Sequence, residues 1–399
     1  MSWFSDLAPD LTLTRQPLSF QTFFGVFLPP ILCYLITARL VLSKGTLPFR
    51  VGLLPVTVWT AYRASISVDL VGSSDDPEPL AYFNQGLLLM MTTLVIRACI
   101  WTFQREPYTR AKSSGSKIAD AADLVFNLRG IGWTWSKGIK LPAETRNVSS
   151  TSSFLFATLP HALFDVFMFD LLMYSVQSFG PQTIGSPAGG SIFDMTLAFG
   201  PRMLRAGIIS ILTGFTMYFA IESMYLVGTF PAILVFRQSP EDWPPLFAQP
   251  WFSTSLNEFW SYRWHQLFRD NFISFGGLPV AFLTGSRSGA LLGSFLASGL
   301  LHYLGQWGMA RGSDFLGIGG FFIMMGVGTL LERRWKKATG YPVRGILGWL
   351  WTFTWVSIWG LFLVEGWVTR GLGGSYFMPD GWRPGVFVVE KLKSLHTVS

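Results

Sequence analysis

Charge is what this chain has least of. Only 13% of its 399 residues are Asp, Glu, Lys or Arg, about half the share found in a soluble domain. So few charges cannot cover a water-facing surface. Cysteine and histidine are scarce as well, at two and four residues. Cys33 and Cys99 both fall within apolar runs, which leaves no disulfide framework, and both read as small packing residues. No group of His, Asp and Glu has ligand spacing, so no metal is expected. Neither a P-loop nor a dinucleotide fingerprint is present. Internal repeats of the transporter kind are not visible either.

Apolar residues are abundant. They make up half of the chain, with 36 Phe and 17 Trp, and the mean hydropathy is +0.39. Several runs reach the ~20 residues that span a bilayer, and the aromatic rings suit its two interfaces. The expectation is an all-α, polytopic transmembrane helix bundle whose partner is the lipid bilayer. The net charge of +7 is explained by basic cytosolic loops, with no need for a nucleic-acid partner.

Residues 1–17 are polar and lack a basic n-region, and the following run, 18–41, is too long for a signal-peptide core. It is expected to be the first retained span, kinked at Pro29-Pro30. Further spans are expected near 51–66, 81–103, 153–179, 203–228, 288–309, 315–331 and 346–368. The apolar stretch 272–284 is too short to cross and reads as re-entrant or interfacial; if it crosses, the spans number nine instead of eight. The membrane domain is then 18–368, followed by a polar tail, 369–399. The loop 104–150 carries Arg105, Arg110, Lys112, Lys117, Arg129, Lys137, Lys140 and Arg146, which places it in the cytosol. Segment 237–270 and the basic loop 333–344 follow it there, and the tail falls in the lumen. The sequon Asn147-Val148-Ser149 is therefore expected to stay unglycosylated. Trp133 and Trp135 read as anchors of an interfacial element.

Ionisable residues inside spans are functional candidates by default. His161 and Asp165 stand at i and i+4, close enough to touch, and Asp170 and Glu222 are expected to be buried and paired. Gly285, Gly289 and Gly293 recur every four residues, a spacing that lets helices approach closely. Two of the four histidines lie 37 positions apart in one stretch. His265 sits in an aromatic-basic run, Phe259 to Arg269. His302 lies in a span, on a face shared with Phe295, Ser298, Gly299, Gln306 and Met309. A desolvated imidazole stays neutral and available as a base. The plainer reading of His302 is a helix-packing hydrogen bond, and that of His265 a solvated interfacial helix.

The residues from Trp243 to His302 carry a resemblance. Trp243-Pro244-Pro245-Leu246-Phe247, then Phe-Trp-x-x-Arg-Trp-His-Gln-Leu-Phe-Arg from Phe259 to Arg269, then the intramembrane His302, resemble the wax synthase branch of the membrane-bound O-acyltransferases. Arg129-Gly130-Ile131-Gly132-Trp133 is similar to a segment of fungal members. The resemblance covers most of 120–370 and is strongest over 243–309. One departure stands out: the family run usually reads Phe-Trp-Gly-Arg-Arg-Trp-His, and Ser261 and Tyr262 replace its Gly-Arg pair.

The resemblance implies acyl transfer from acyl-CoA to an alcohol in the endoplasmic reticulum membrane, with acyl-CoA as co-substrate and no bound cofactor. His302 would be the general base and His265 an orienting or oxyanion-stabilising group. Arg263, Arg269, Trp264 and Gln266 would hold the donor, the arginines taking CoA phosphates. Fungal relatives of this pattern acetylate terpenoid or polyketide alcohols in secondary metabolism, which favours acetyl-CoA as donor. Long-chain wax ester synthesis is the alternative. A non-enzymatic transporter whose buried His and Glu relay protons is the competing class.

Overall fold

The computed structural model describes residues 9–111, 115–136 and 138–396. Lys112 and Lys137, named above, lie outside them. Helices dominate the described residues, and the strands among them form one two-stranded sheet, Gln16–Pro17 with Val68–Asp69. The long helices are Phe20–Val41, Leu47–Ser67, Tyr82–Phe103, Thr151–Ser178, Phe199–Leu234, Arg287–Trp307, Phe315–Thr339 and Gly345–Val368. Among the described residues six helices are long and apolar enough to cross a membrane: Phe20–Val41, Glu78–Phe103, Thr151–Ser178, Phe199–Leu234, Phe315–Thr339 and Gly345–Val368. The 47–67 and 287–307 helices match the length, at 21 residues each, but not the apolarity. Arg50 and Arg63 interrupt the first, and Arg287, His302 and Gln306 the second. The helical run 269–284 is shorter than the ~20 residues a span needs.

Pro29-Pro30 does not simply kink the first span. A π-helical turn, Phe23–Phe27, stands directly before Leu28-Pro29-Pro30. The same device recurs at Ile273–Gly277, directly before Leu278-Pro279. A proline has no N–H to give to the preceding turn, and a wider turn absorbs that loss without breaking the helix.

The chain forms two compact units, 1–139 with 267–327, and 140–266 with 328–399. In the first, a core that includes Tyr34, Ala38, Leu87, Met91, Trp101 and Trp133 surrounds Arg97. The Arg97 guanidinium donates to the carbonyls of Leu124 and Val125 at 2.7 and 2.9 Å and lies 4.7 Å over the Trp101 ring. It thereby satisfies orphan carbonyls at the end of the Lys117–Phe126 helix. Trp133 and Trp135 are core residues here, not interfacial anchors: Trp133 is buried, donates to Asp123 at 2.7 Å, and Trp135 packs on the same cluster.

The small residues of the 287–307 helix let two backbones meet. A Cβ on Gly293 would lie 2.5 Å from the Gly276 carbonyl oxygen, and one on Gly276 would lie 2.3 Å from that of Gly293. Gly285 takes no part in that contact. It stands at φ +61 as the C-cap of Leu278–Thr284, in open space. The close approach is made by Gly289, Gly293 and Ala297 instead.

In the second unit, Val176, Ile184, Ile192, Ala206, Ile209, Val364 and Val368 form the core. The 180–198 connection is held by Arg205, which donates to the carbonyls of Ile192 and Phe179, and by Glu365, which accepts from the Ile192 N–H. Asp170 is paired, as expected, and its partner is the tail. It takes Arg383 Nε at 2.8 Å and the N–H groups of Gly385 and Val386 at 2.8 and 3.2 Å. The tail is thus a helix, Pro384–His396, capped by a carboxylate from the membrane domain. His161 and Asp165 do not pair. His161 is exposed, Asp165 is buried, and no hydrogen bond joins them among the described residues. Asp165 and Glu222 both lie within electrostatic reach of Tyr218. In the sequon, Asn147 Oδ1 accepts from Ser149 N–H and Oγ at 3.1 and 2.7 Å. Digestion with a glycosidase is expected to leave the protein's mobility unchanged.

Candidate active site

His302 lies in the first unit, four turns into a helix whose start is fixed by Ser286. That serine accepts from the N–H groups of Ser288 and Gly289. Small residues bring the neighbouring backbone close: a Cβ on Gly299 would stand 3.0 Å from Gly319 Cα. Gly319 belongs to a π-helical turn, Phe315–Gly319, which Asp314 caps. The continuing helix presents Phe322, and the imidazole lies on its ring at 4.3 Å between centroids and 28° between planes.

The tautomer follows from one contact. His302 Nδ1 is 2.8 Å from the backbone carbonyl oxygen of Ser298. A carbonyl oxygen only accepts, so in the neutral ring the hydrogen sits on Nδ1. Nε2 then carries the lone pair. Phe322 fixes the ring plane and Ser298 the tautomer, which is what a positioned general base requires. One turn on, Gln306 is fully buried, and its Nε2 meets the Met309 sulfur at 3.5 Å.

His265 lies in the second unit, where segment 243–266 is folded by polar contacts at each end. Arg146 holds the start: it pairs with Glu144 at 2.7 Å, donates to the Trp243 carbonyl at 2.8 Å and to Thr158 at 3.0 Å, and covers the Phe154 ring. Glu332 holds the middle, accepting from Leu256 and Asn257 N–H at 2.6 and 3.0 Å and from the Trp351 indole at 3.0 Å. The Phe259–Arg263 stretch winds as a π-helical turn. Beyond it, Gln266 is buried and donates through Nε2 to the carbonyls of Trp260 and Trp264. Trp264 stacks on Phe259 at 5.4 Å, and the edge of Phe247 meets both Trp264 and His265.

Arg263 is committed inside this fold. Its Nε meets Glu258 at 2.6 Å, and Nη1 donates to the carbonyls of Ala248 and Gln249. Burial pushes the Glu258 carboxyl up, but hydrogen bonds from Thr254 and Arg263 outweigh it and hold it below its ordinary value of 4.5. A lowered carboxylate stabilises the fold fully above that ordinary value, and the contribution is lost as pH falls through the folded value. Tryptophan fluorescence of solubilised protein is therefore expected to report loosening of this segment below pH 4.5. No change there would contradict the assignment. The Arg269 side chain, in the first unit, makes no hydrogen bond among the described residues and acts electrostatically on Asp270.

Sequence reasoning missed Phe322, Glu332 and Glu258 as supports of the two histidine segments. Glu332, an isolated acid after a long apolar run, was the one visible signal. Among the described residues no three His, Cys, Asp or Glu side chains gather as a metal site.

Residues 243–324 match the model of the membrane bound O-acyl transferase family. The acetyltransferase spyB of Aspergillus fumigatus is 26% identical over 35% of this chain and 28% of its own length. The long-chain-alcohol O-fatty-acyltransferase of Simmondsia chinensis is 30% identical over 34% of this chain and 40% of its own. The acetyltransferase ple2 of Rhodocybe pseudopiperita is 26% identical over 63% of this chain and 67% of its own. The match to the first two of these relatives thus spans less than half of their length. The stretch that holds both His265 and His302 is the stretch that this chain shares with the membrane bound O-acyl transferases.

Proposed function

We propose that the protein is a membrane-embedded O-acyltransferase that moves an acyl group, preferably acetyl, from acyl-CoA to the hydroxyl of a lipophilic alcohol of the terpenoid or polyketide kind. The observation that carries the reading is the His302 ring, whose Nδ1–H is spent on Ser298 so that Nε2 is left as a base. Nε2 takes the proton from the acceptor hydroxyl as its oxygen attacks the thioester carbonyl. The carbon–sulfur bond breaks, and the CoA thiolate leaves and takes up the proton, so the histidine returns neutral. His265 assists by orienting the donor or stabilising the oxyanion. The acetyltransferase names of spyB and ple2 favour a short donor, and the Simmondsia relative supports a long-chain donor as the second reading. The endoplasmic reticulum membrane is the proposed location.

Of the two arginines, Arg269 is the one proposed to meet CoA phosphates, because Arg263 is already held by Glu258 and two carbonyls. Arg269→Ala is expected to raise the donor KM about tenfold with little change in kcat, since a charge-assisted hydrogen bond contributes about 1.5 kcal/mol or more. Arg263→Ala is expected to lower thermal stability and leave the donor KM of the folded fraction alone. The reverse pattern would exchange the two roles. The test of the function itself is release of free CoA thiol from acetyl-CoA and palmitoyl-CoA, dependent on an added alcohol. A transporter would release none.

A further inference from the structure

The first unit contains a cavity of about 760 Å³ that the proposed chemistry does not use. It opens where the Tyr82–Phe103 helix gives way to the following loop, and 269–284 forms its opposite wall. Cys99, Tyr108, Trp135, Asp270 and Phe275 line it, and His302 does not. Its volume falls within the roughly 300–1,000 Å³ of small-molecule sites.

The wall chemistry selects an occupant. Rings and aliphatic side chains dominate, and the charged residues among those lining it are Asp270 and Glu106, with no Lys, Arg or His. Phosphates of CoA would meet two carboxylates and no cation of the lining itself, since Arg269 acts on Asp270 without lining the cavity, so the donor's head group belongs outside it. An acyl chain alone offers Asp270 no hydrogen to accept. A neutral lipophile bearing a hydroxyl satisfies both walls, its hydrocarbon against the rings and its O–H on the carboxylate. Asp270 is set for this. Its side chain accepts a long hydrogen bond from Ser274 Oγ at 3.5 Å, while nearby Arg97 is committed to the carbonyls of Leu124 and Val125.

We propose that this cavity is a holding site for the lipophilic alcohol acceptor, with Asp270 receiving its hydroxyl before the alcohol passes on to His302, and that CoA binds outside the cavity. The proposal rests on the acyl-transfer reading above. Cys99 supplies the probe, because the chain has only one other cysteine. In Cys33→Ser protein, alkylation of Cys99 by a small maleimide is measured with 1-dodecanol, farnesol, dodecane or coenzyme A present. The two alcohols are expected to slow labelling in a saturable way, and dodecane and coenzyme A are not. Asp270→Ala is expected to weaken that protection about tenfold, the worth of one hydrogen bond to a charged group. This variant leaves Arg97 with its backbone partners. Leu278→Trp, which narrows the apolar wall, is a second variant expected to lose protection.

Protection by coenzyme A, or equal protection by dodecane, would overturn the proposal. Ester formed from these alcohols without any protection would overturn it too, and would leave acyl transfer standing. Protection with no ester from any donor would instead remove the acyl-transfer reading, and the acceptor assignment with it.

Discussion

Replacing His302 by alanine is expected to lower ester formation by about 10²–10⁴-fold, the usual contribution of a positioned general base. The loss should fall on kcat, because Nε2 acts on the proton in flight and adds little to ground-state binding. The variant should remain folded. Among the described residues the ring makes one hydrogen bond, to a backbone carbonyl within its own helix, and one stacking contact, with Phe322. Phe322→Leu keeps the base but frees the ring plane, so a smaller fall in kcat with unchanged donor KM is expected. Equal turnover in wild type and His302→Ala at matched expression would remove the histidine from the mechanism.

The largest effect on stability is expected at Asp170, far from either histidine in sequence. Its carboxylate is 3% exposed and holds Arg383, 16% exposed, at 2.8 Å. It also accepts two backbone N–H groups at the start of the Pro384–His396 helix. Removing one partner of a buried pair strands the other charge, at a cost of about 3–5 kcal/mol. Gln177 Oε1, 3.3 Å from Arg383, is neutral and does not replace the lost charge. Asp170→Ala should therefore release the C-terminal helix. Limited proteolysis should remove a C-terminal tag from the variant at concentrations that leave the wild type intact. Equal protection would mean that apolar contacts alone dock the helix.

Much of this architecture was legible because membrane helices announce themselves by length and apolarity. The runs 18–41, 81–103, 153–179, 203–228, 315–331 and 346–368 all became long helices, although 203–228 and 315–331 extend to Phe199–Leu234 and Phe315–Thr339. The 47–67 and 287–307 helices were also expected as spans, near 51–66 and 288–309, but charge and small polar residues dilute their apolarity. The two histidines were visible because histidine is rare here. Their local settings were not. That Arg263 is spent within the protein depends on the chain returning at Ala248 and Gln249, a tertiary event with no local signature. The tautomer of His302 depends on a carbonyl that every residue has. The inward turn of Trp133 follows from Asp123, ten residues earlier. The pairing of Asp170 was foreseen, but its partner lies 213 residues away in what read as a polar tail.

The central claim is that acyl transfer from CoA runs through the Nε2 lone pair of His302. The measurement that tests it most directly follows radiolabel from acetyl-CoA and palmitoyl-CoA into lipid-extractable ester. Membranes carrying wild type or His302→Gln at matched levels are supplied with terpenoid and long-chain alcohols. The account predicts ester with the intact histidine, more from acetyl-CoA than from palmitoyl-CoA, and almost none with glutamine. Ester formed equally by both proteins would contradict it.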